Sequence, residues 1–301
     1  MLGHVNVVWR FVAGLTRLEA IGWEVFKRRN MKVEGRVYID RGYAVGDGVV
    51  RVWPSVVQYL YEAQDTGSCT GVVGQSRVEY RGGGCNTPSD AFAVGYCVSL
   101  CGNNWNVELM TNGLGPEMVE MLAYGLKSVQ YGGGLVEKLR LSCNPIRDEG
   151  VKYFQQFPHQ ILQQIKTLDL SYCDIGQKGF DLLADILPLL SSLELLNISH
   201  NPGGNRCAVK LFQALGEHQT IEHLRTHYTV IGRDDVMTLC EVVQPSGSLR
   251  EIYIGSANDM SSESVQQLGR MVLSPSSLKK LKVMVPSSVS PLDYTEAISN
   301  R

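Results

Sequence analysis

The chain has 301 residues, 44% of them hydrophobic and 19% charged, with a formal net charge of −2 and an isoelectric point near 6.3. It is long enough to bury a large core, and its charge balance gives it no general attraction for nucleic acid or an anionic membrane. No uncharged apolar run approaches the roughly 18 residues needed to span a bilayer. Met1 to Gly14 carries Arg10 within its apolar stretch and lacks a basic start followed by a small-residue cleavage site. The chain therefore reads as cytoplasmic, and its eight cysteines as free thiols rather than a disulfide framework.

Residues 1 to 30 read as one or two helices, with Val8, Phe11, Val12, Leu15 and Leu18 forming an apolar stripe ahead of Lys27, Arg28 and Arg29. Val33 to Val52 alternates apolar and polar residues around Gly42, Gly46 and Gly48, which predicts a β-hairpin or an extended loop. Pro54, favoured at the first helical position, opens a helix running through Val57, Leu60 and Tyr61 to about Gln64. These elements make up a helical region over 1–65. Asp65 to Pro88 holds six glycines, Gly82 to Gly84 among them, so 66–87 is assigned as a connection. Ser89 and Asp90 then cap a helix over Ala91 to Leu100, which suits the end cap of a repeat domain spanning 88–285. A polar tail follows over 286–301.

Seven times between Val107 and Val283 the chain repeats an apolar pair two residues apart, a slot three residues on, and a helix-like return. The pairs are Val107/Leu109, Leu139/Leu141, Leu168/Leu170, Leu196/Ile198, Leu224/Thr226, Ile252/Ile254 and Leu281/Val283, spaced by 32, 29, 28, 28, 28 and 29 residues. Alternate residues of a strand share a face, so each pair points into a core. The slot holds Asn112, Asn144, Cys173, Asn201, Thr229 and Ala257. An Asn or Cys there turns inward and hydrogen-bonds backbone that would otherwise be buried unpaired, and the loss of that pattern after Asn201 predicts less regular final repeats. The return segments space apolar residues at three and four, as in Phe180, Leu183 and Leu187, the stripe of an amphipathic helix. The longer first interval is attributed to a loop insertion at Tyr131 to Gly134.

This period resembles that of leucine-rich repeats of the long, helical, ribonuclease-inhibitor type. The expected fold is an α/β solenoid, a horseshoe with parallel strands on its concave side and helices on its convex side, preceded by a small helical region. Three further segments resemble the NACHT family of NOD-like innate immune receptors. Phe11-Val-Ala-Gly-Leu15 looks like a helix late in their NACHT module, Val57-Gln-Tyr-Leu-Tyr-Glu-Ala-Gln64 like the helix after it, and Ser89-Asp-Ala-Phe-Ala-Val-Gly-Tyr-Cys97 with Trp105 like the segment that opens their repeats. The resemblance implies a ligand-sensing surface and a nucleotide module. However, no Gly-x-x-x-x-Gly-Lys-Ser/Thr phosphate loop occurs, so no ATP and no other cofactor is expected here. The family's nucleotide site and signalling domain would lie upstream of Met1, in which case the chain is either a short relative or a fragment of a longer product.

Strand positions beside the inward pairs face the concave surface. They give one row of Glu108, Arg140, Asp169, Asn197, Arg225, Tyr253 and Lys282, and a neighbouring row of Tyr172, His200, Tyr228 and Ser256, joined by His223 and His227. Tyr, Arg and His supply contact area and hydrogen bonds at modest entropic cost, so Tyr172, His200, His223, Arg225, His227, Tyr228 and Tyr253 are the candidate ligand contacts.

The expected partner is a protein or microbial ligand, or the NACHT module of a longer product. On a strand, His223 and His227 are roughly 13 Å apart, too far to share a metal ion. Cys97 and Cys101 lack a paired CxxC partner, and the glycosylation-like Asn197-Ile-Ser199 sits inside a repeat strand. No Gly-x-Ser-x-Gly, no His-Glu-x-x-His and no cysteine-protease signature appears. A non-enzymatic binding module is therefore the leading reading. Alternatives are a ribonuclease-inhibitor-like binder without an immune role and a leucine-rich-repeat GTPase-activating protein.

Overall fold

A computed structural model describes residues 77–81, 87–100, 104–128, 135–203, 206–243, 247–255, 262–273 and 278–284. The helical region expected over 1–65, the insertion at 131–134, Cys101, Ser256, Ala257 and the tail 286–301 lie outside them. The described strands are β1 (Arg77–Arg81), β2 (Asn104–Met110), β3 (Leu135–Arg140), β4 (Thr167–Asp169), β5 (Leu195–Asn197), β6 (His223–Thr226), β7 (Glu251–Gly255) and β8 (Lys280–Met284). They form one sheet in which each strand pairs only with its neighbours in sequence, all parallel.

Between the strands lie α1 (Pro88–Leu100), α2 (Pro116–Lys127), α3 (Arg147–Lys152), α4 (His159–Leu162), α5 (Gln177–Ile186), α6 (Val209–Glu217), α7 (Arg233–Val243) and α8 (Ser262–Leu273). Parallel neighbours require a crossover, and here each crossover carries a helix. None of the described helices is long and apolar enough to cross a membrane.

The sheet begins one strand earlier than the seven-copy reading. β1 lies inside the stretch assigned as a connection and pairs in register with β2, Val78 opposite Val107 and Tyr80 opposite Leu109. Val78 precedes Val107 by 29 residues, so this is the same repeat in a disguised copy. Its slot position falls on Gly83, next to flanking glycines, and carries no polar side chain to advertise the repeat. α1 is therefore the helix of the unit that β1 opens. Its cap also differs from expectation: Thr87, rather than Ser89 or Asp90, ends the chain's approach. The Thr87 hydroxyl accepts from the Asp90 amide at 3.2 Å, and the Asp90 carboxylate accepts from the Thr87 amide at 2.9 Å. That is a capping box with Pro88 at the first helical position. α1 and α2 cross closely at Gly95 and Gly125, where a Cβ on Gly125 would collide with the Phe92 carbonyl.

The apolar pairs are buried as their spacing requires: Leu139, Leu141, Leu168, Leu170, Leu196, Ile198, Leu224, Ile252 and Ile254 all line one core. The slot residues bind the repeats together. Asn201 is 1% exposed; its Oδ1 accepts from the Cys173 and Ile175 amides at 3.0 Å each, and its Nδ2 donates to Leu170 O at 2.9 Å and Ile198 O at 2.8 Å. Asn144 repeats this one unit earlier, accepting from the Asn112 and Leu114 amides and donating to the Leu109 and Leu141 carbonyls.

Cys173 fills the slot with a thiol that donates to Leu141 O at 3.2 Å; burial pushes that thiol up to about 12, so it stays neutral. Thr229 keeps one such bond, to Ile198 O at 2.9 Å. In all four copies the donor reaches the carbonyl of the second apolar residue of the preceding repeat. The weakening after Asn201 is thus a loss of side-chain bonds per slot, not a change of plan.

Asn201→Ala removes five hydrogen bonds and strands buried amides and carbonyls, so urea denaturation should show a loss of about 3 kcal/mol or more, against about 1 kcal/mol for Thr229→Val. Leu168→Ala should cost roughly 2 to 5 kcal/mol. Equal losses at Asn201 and Thr229 would contradict the slot account.

Candidate ligand-binding face

Strand register aligns the outward side chains into rows. The row between the apolar pairs runs Glu108, Arg140, Asp169, Asn197, Arg225, Tyr253, Lys282. Two residues earlier in each strand, a second row runs Lys138, Thr167, Leu195, His223, Glu251, Lys280. A third forms where the chain leaves the strands, at Thr111, Cys143, Tyr172, His200 and Tyr228, with φ of 58°, 59°, 56°, 56° and 50°. The backbone of this row is left-handed because each turn must aim its amide at the next unit: Tyr172 N donates to Ser199 O and His200 N to His227 O.

Left-handed backbone costs an L-residue about 1–2 kcal/mol, and glycine or asparagine fits it most easily. Three successive copies instead place rings there. Tyr172 and His200 stack with centroids 3.9 Å apart at 11°, and His200 and Tyr228 at 4.7 Å and 29°. Tyr172 is 52% and Tyr228 47% exposed, so the column stands open to solvent.

A second cluster surrounds Tyr253. His227 meets its ring edge-on at 5.3 Å, the Arg225 guanidinium carbon lies 5.6 Å from the ring centroid, and the Lys280 and Lys282 ammonium groups lie at 4.9 and 6.0 Å. The Lys280 ammonium donates to the Tyr253 hydroxyl, which raises its pKa. Burial lowers the pKa of His227, and the charges of Arg225, Lys282 and His200 lower it further. Burial also lowers His200.

Six of the seven candidate residues thus fall into two assemblies, Tyr172–His200–Tyr228 and Arg225–His227–Tyr253. His223, at the start of β6, meets the second assembly through Glu251: its Nδ1 lies 3.5 Å from Glu251 Oε2, the oxygen that accepts from the Tyr253 hydroxyl at 3.4 Å. Lys280 and Glu251 escaped the sequence reading, although the alternation that exposes Lys282 exposes them too. Among the described residues no group of three or more His, Cys, Asp or Glu is arranged to hold a metal ion. The groups in contact offer ring faces, cations and one carboxylate, a set that binds by stacking, cation–π contact and charge.

A family profile described as Leucine Rich repeat matches residues 135–154 and 163–184, which cover β3, β4 and much of their helices. The two repeats it covers are leucine-rich repeats. The chain is similar to ribonuclease inhibitor of Sus scrofa, 29% identical over 146 residues, 48% of this chain and 32% of that protein. It is also similar to NACHT, LRR and PYD domains-containing protein 12 of Mus musculus, 28% identical over 145 residues, 48% of this chain and 14% of that protein. The chain thus spans less than a third of the length of either relative. Its fold is the expected α/β leucine-rich-repeat solenoid.

The strain account makes Cys143→Gly stabilising by about 1 kcal/mol, because Cys143 holds the same left-handed turn without a ring partner. His200→Gly should bring no such gain, since it also removes two stacking contacts of about 0.5–1.5 kcal/mol each. Chemical denaturation of both variants checks the pair.

His200, His218 and His227 all have depressed pKa values, each chiefly from burial. As pH falls the unfolded chain therefore takes up these protons first, so stability is greatest above the unfolded value of about 6.5 and declines below it. The triple variant His200→Gln, His218→Gln, His227→Gln should show a smaller drop in melting temperature between pH 7.5 and 5.5. An unchanged drop would refute the assignment.

Proposed function

We propose that this chain is a non-enzymatic, cytoplasmic ligand-sensing module: the leucine-rich-repeat part of a NOD-like innate immune receptor, without its nucleotide-binding core. It takes a protein or microbial ligand on the concave face through Tyr172, His200, Arg225, His227, Tyr228 and Tyr253. His223 borders this surface. The observation that carries the reading is the open ring column. Three neighbouring repeats place stacked rings on left-handed backbone, where the stacking offsets the strain, and leave two tyrosines about half exposed, so that aromatic area remains open for binding.

The receptor reading draws on the similarity to the mouse NACHT, LRR and PYD protein and on the segments at Phe11–Leu15, Val57–Gln64 and Ser89–Cys97. A second reading, a ribonuclease-inhibitor-like binder with no immune role, draws on the comparable similarity to the pig inhibitor. A transcript that extends upstream of Met1 into a phosphate loop favours the receptor; one that starts at Met1 favours the second reading.

The surface itself is tested by placing a photo-crosslinking amino acid at Tyr228 or Arg225 on the concave side, and at the exposed Lys178 of α5 on the convex side. A discrete protein adduct should form at the first two positions and not at Lys178. With that partner purified, Arg225→Ala and Tyr228→Ala should weaken binding while leaving the melting temperature nearly unchanged. Unchanged affinity would refute the placement.

A further inference from the structure

We propose that the downstream half of this face, around Tyr253, receives an acidic stretch of a partner protein that carries an aromatic side chain beside its carboxylates. The inference rests on the concave face being the ligand surface, and it adds the chemistry of what lies there.

Charge is unevenly distributed along the rows. Upstream, Arg140 is already paired with Glu108 at 3.0 Å, and Asp169 contributes a carboxylate that accepts from the Ser171 amide and hydroxyl. Downstream, the cations of Arg225, Lys280 and Lys282 all lie within 6.0 Å of one ring, and among the described residues Glu251 brings a carboxylate to the Tyr253 hydroxyl. Arg225 and Lys282 repel positive charge at His227, whose pKa they lower beyond the effect of burial, whereas Lys280 is held by Glu251 and the Tyr253 hydroxyl, so in the free protein the repulsion is centred on Arg225 and Lys282. A bound anion relieves it.

The excess is local, because the whole chain carries a net charge of −2. It is also narrow. The three strands β6 to β8 span about 10 Å at about 4.8 Å per strand, enough for two or three carboxylates. A longer polyanion such as a nucleic acid strand would run onto Asp169 two strands upstream, so an acidic patch within a protein fits better.

The aromatic element follows from the ring column. His200 N donates to His227 O at 2.7 Å and Tyr228 directly follows His227, so the column adjoins the cationic cluster rather than standing elsewhere on the face. Tyr172 and Tyr228 offer partly open rings next to charges that would already hold the partner in place. Rings beside charge pairs are the usual composition of an energetic interface centre.

The test is selection of a random displayed peptide library on the full chain, followed by anisotropy titration of the selected peptides. The variants are Arg225→Glu with Lys282→Glu, Tyr172→Ser with Tyr228→Ser, and Lys178→Glu as a convex control. All alter exposed positions, and melting temperatures verify folding. The expected peptides are enriched in Asp or Glu together with Tyr, Phe or Trp. They should lose about tenfold or more on the double charge reversal, weaken severalfold at raised salt, and ignore Lys178→Glu.

Neutral or basic peptides, or acidic ones indifferent to the charge reversal, overturn the inference, as does tighter binding of a single-stranded oligonucleotide. If such peptides still lose binding in the tyrosine variant, the concave surface stands and only its acidic specificity fails. If the selected peptides bind every variant alike, both readings fail.

Discussion

The structure depends on one kind of hydrogen bond, the reach of a slot side chain into the backbone of the preceding repeat. A parallel strand that ends in a turn leaves amides and carbonyls facing a dry interior, where each unpaired group costs more than an average hydrogen bond contributes. Asn144 and Asn201 supply both acceptor and donor from one amide, and so join two turns and two strands at once. Apolar burial stacks the repeats, but these amides set how the turns meet. The turns in turn carry the face. Because each exit turn is pinned in left-handed geometry, the residues at Tyr172, His200 and Tyr228 fall one above another at stacking distance.

The regular parts of this plan were legible in the sequence for a physical reason. A strand period of two and a slot three residues beyond it are direct images of backbone geometry, so the buried pairs and the middle row, Glu108 to Lys282, could be read from spacing. Where the chain departs from its own rule, the reading failed. β1 went unseen because Gly83 holds its slot position, and a glycine-rich setting looks like a connection. The cap of α1 was misplaced by two residues because Thr87, Ser89 and Asp90 all belong to capping chemistry, and only geometry shows which hydroxyl accepts.

The candidate face was legible by position but not by assembly. Spacing brought out Arg225, Tyr253 and the ring row; it did not reveal that the rings stack or that three cations converge on one tyrosine. Those facts depend on side-chain torsions, which lie beyond any periodic pattern. Lys280 shows the cost: it is the nearest of the three cations to the Tyr253 ring, yet it precedes the apolar pair and so fell outside a reading organised around the positions within and after it.

The step from five slot bonds at Asn201 to one at Thr229 has a wider meaning. In a one-dimensional array each unit is held only by its neighbours, so such a molecule does not melt evenly; it opens from the end where coupling is poorest. Among the described slot side chains of Asn144, Cys173, Asn201 and Thr229, the fewest bonds are at Thr229, in the repeat bearing Arg225, His227 and Tyr228. The slot with the fewest bonds thus belongs to a repeat whose surface is equipped to hold another molecule. Occupancy of that surface would then act as a missing fastener, and recognition and the final closing of the solenoid become a single equilibrium.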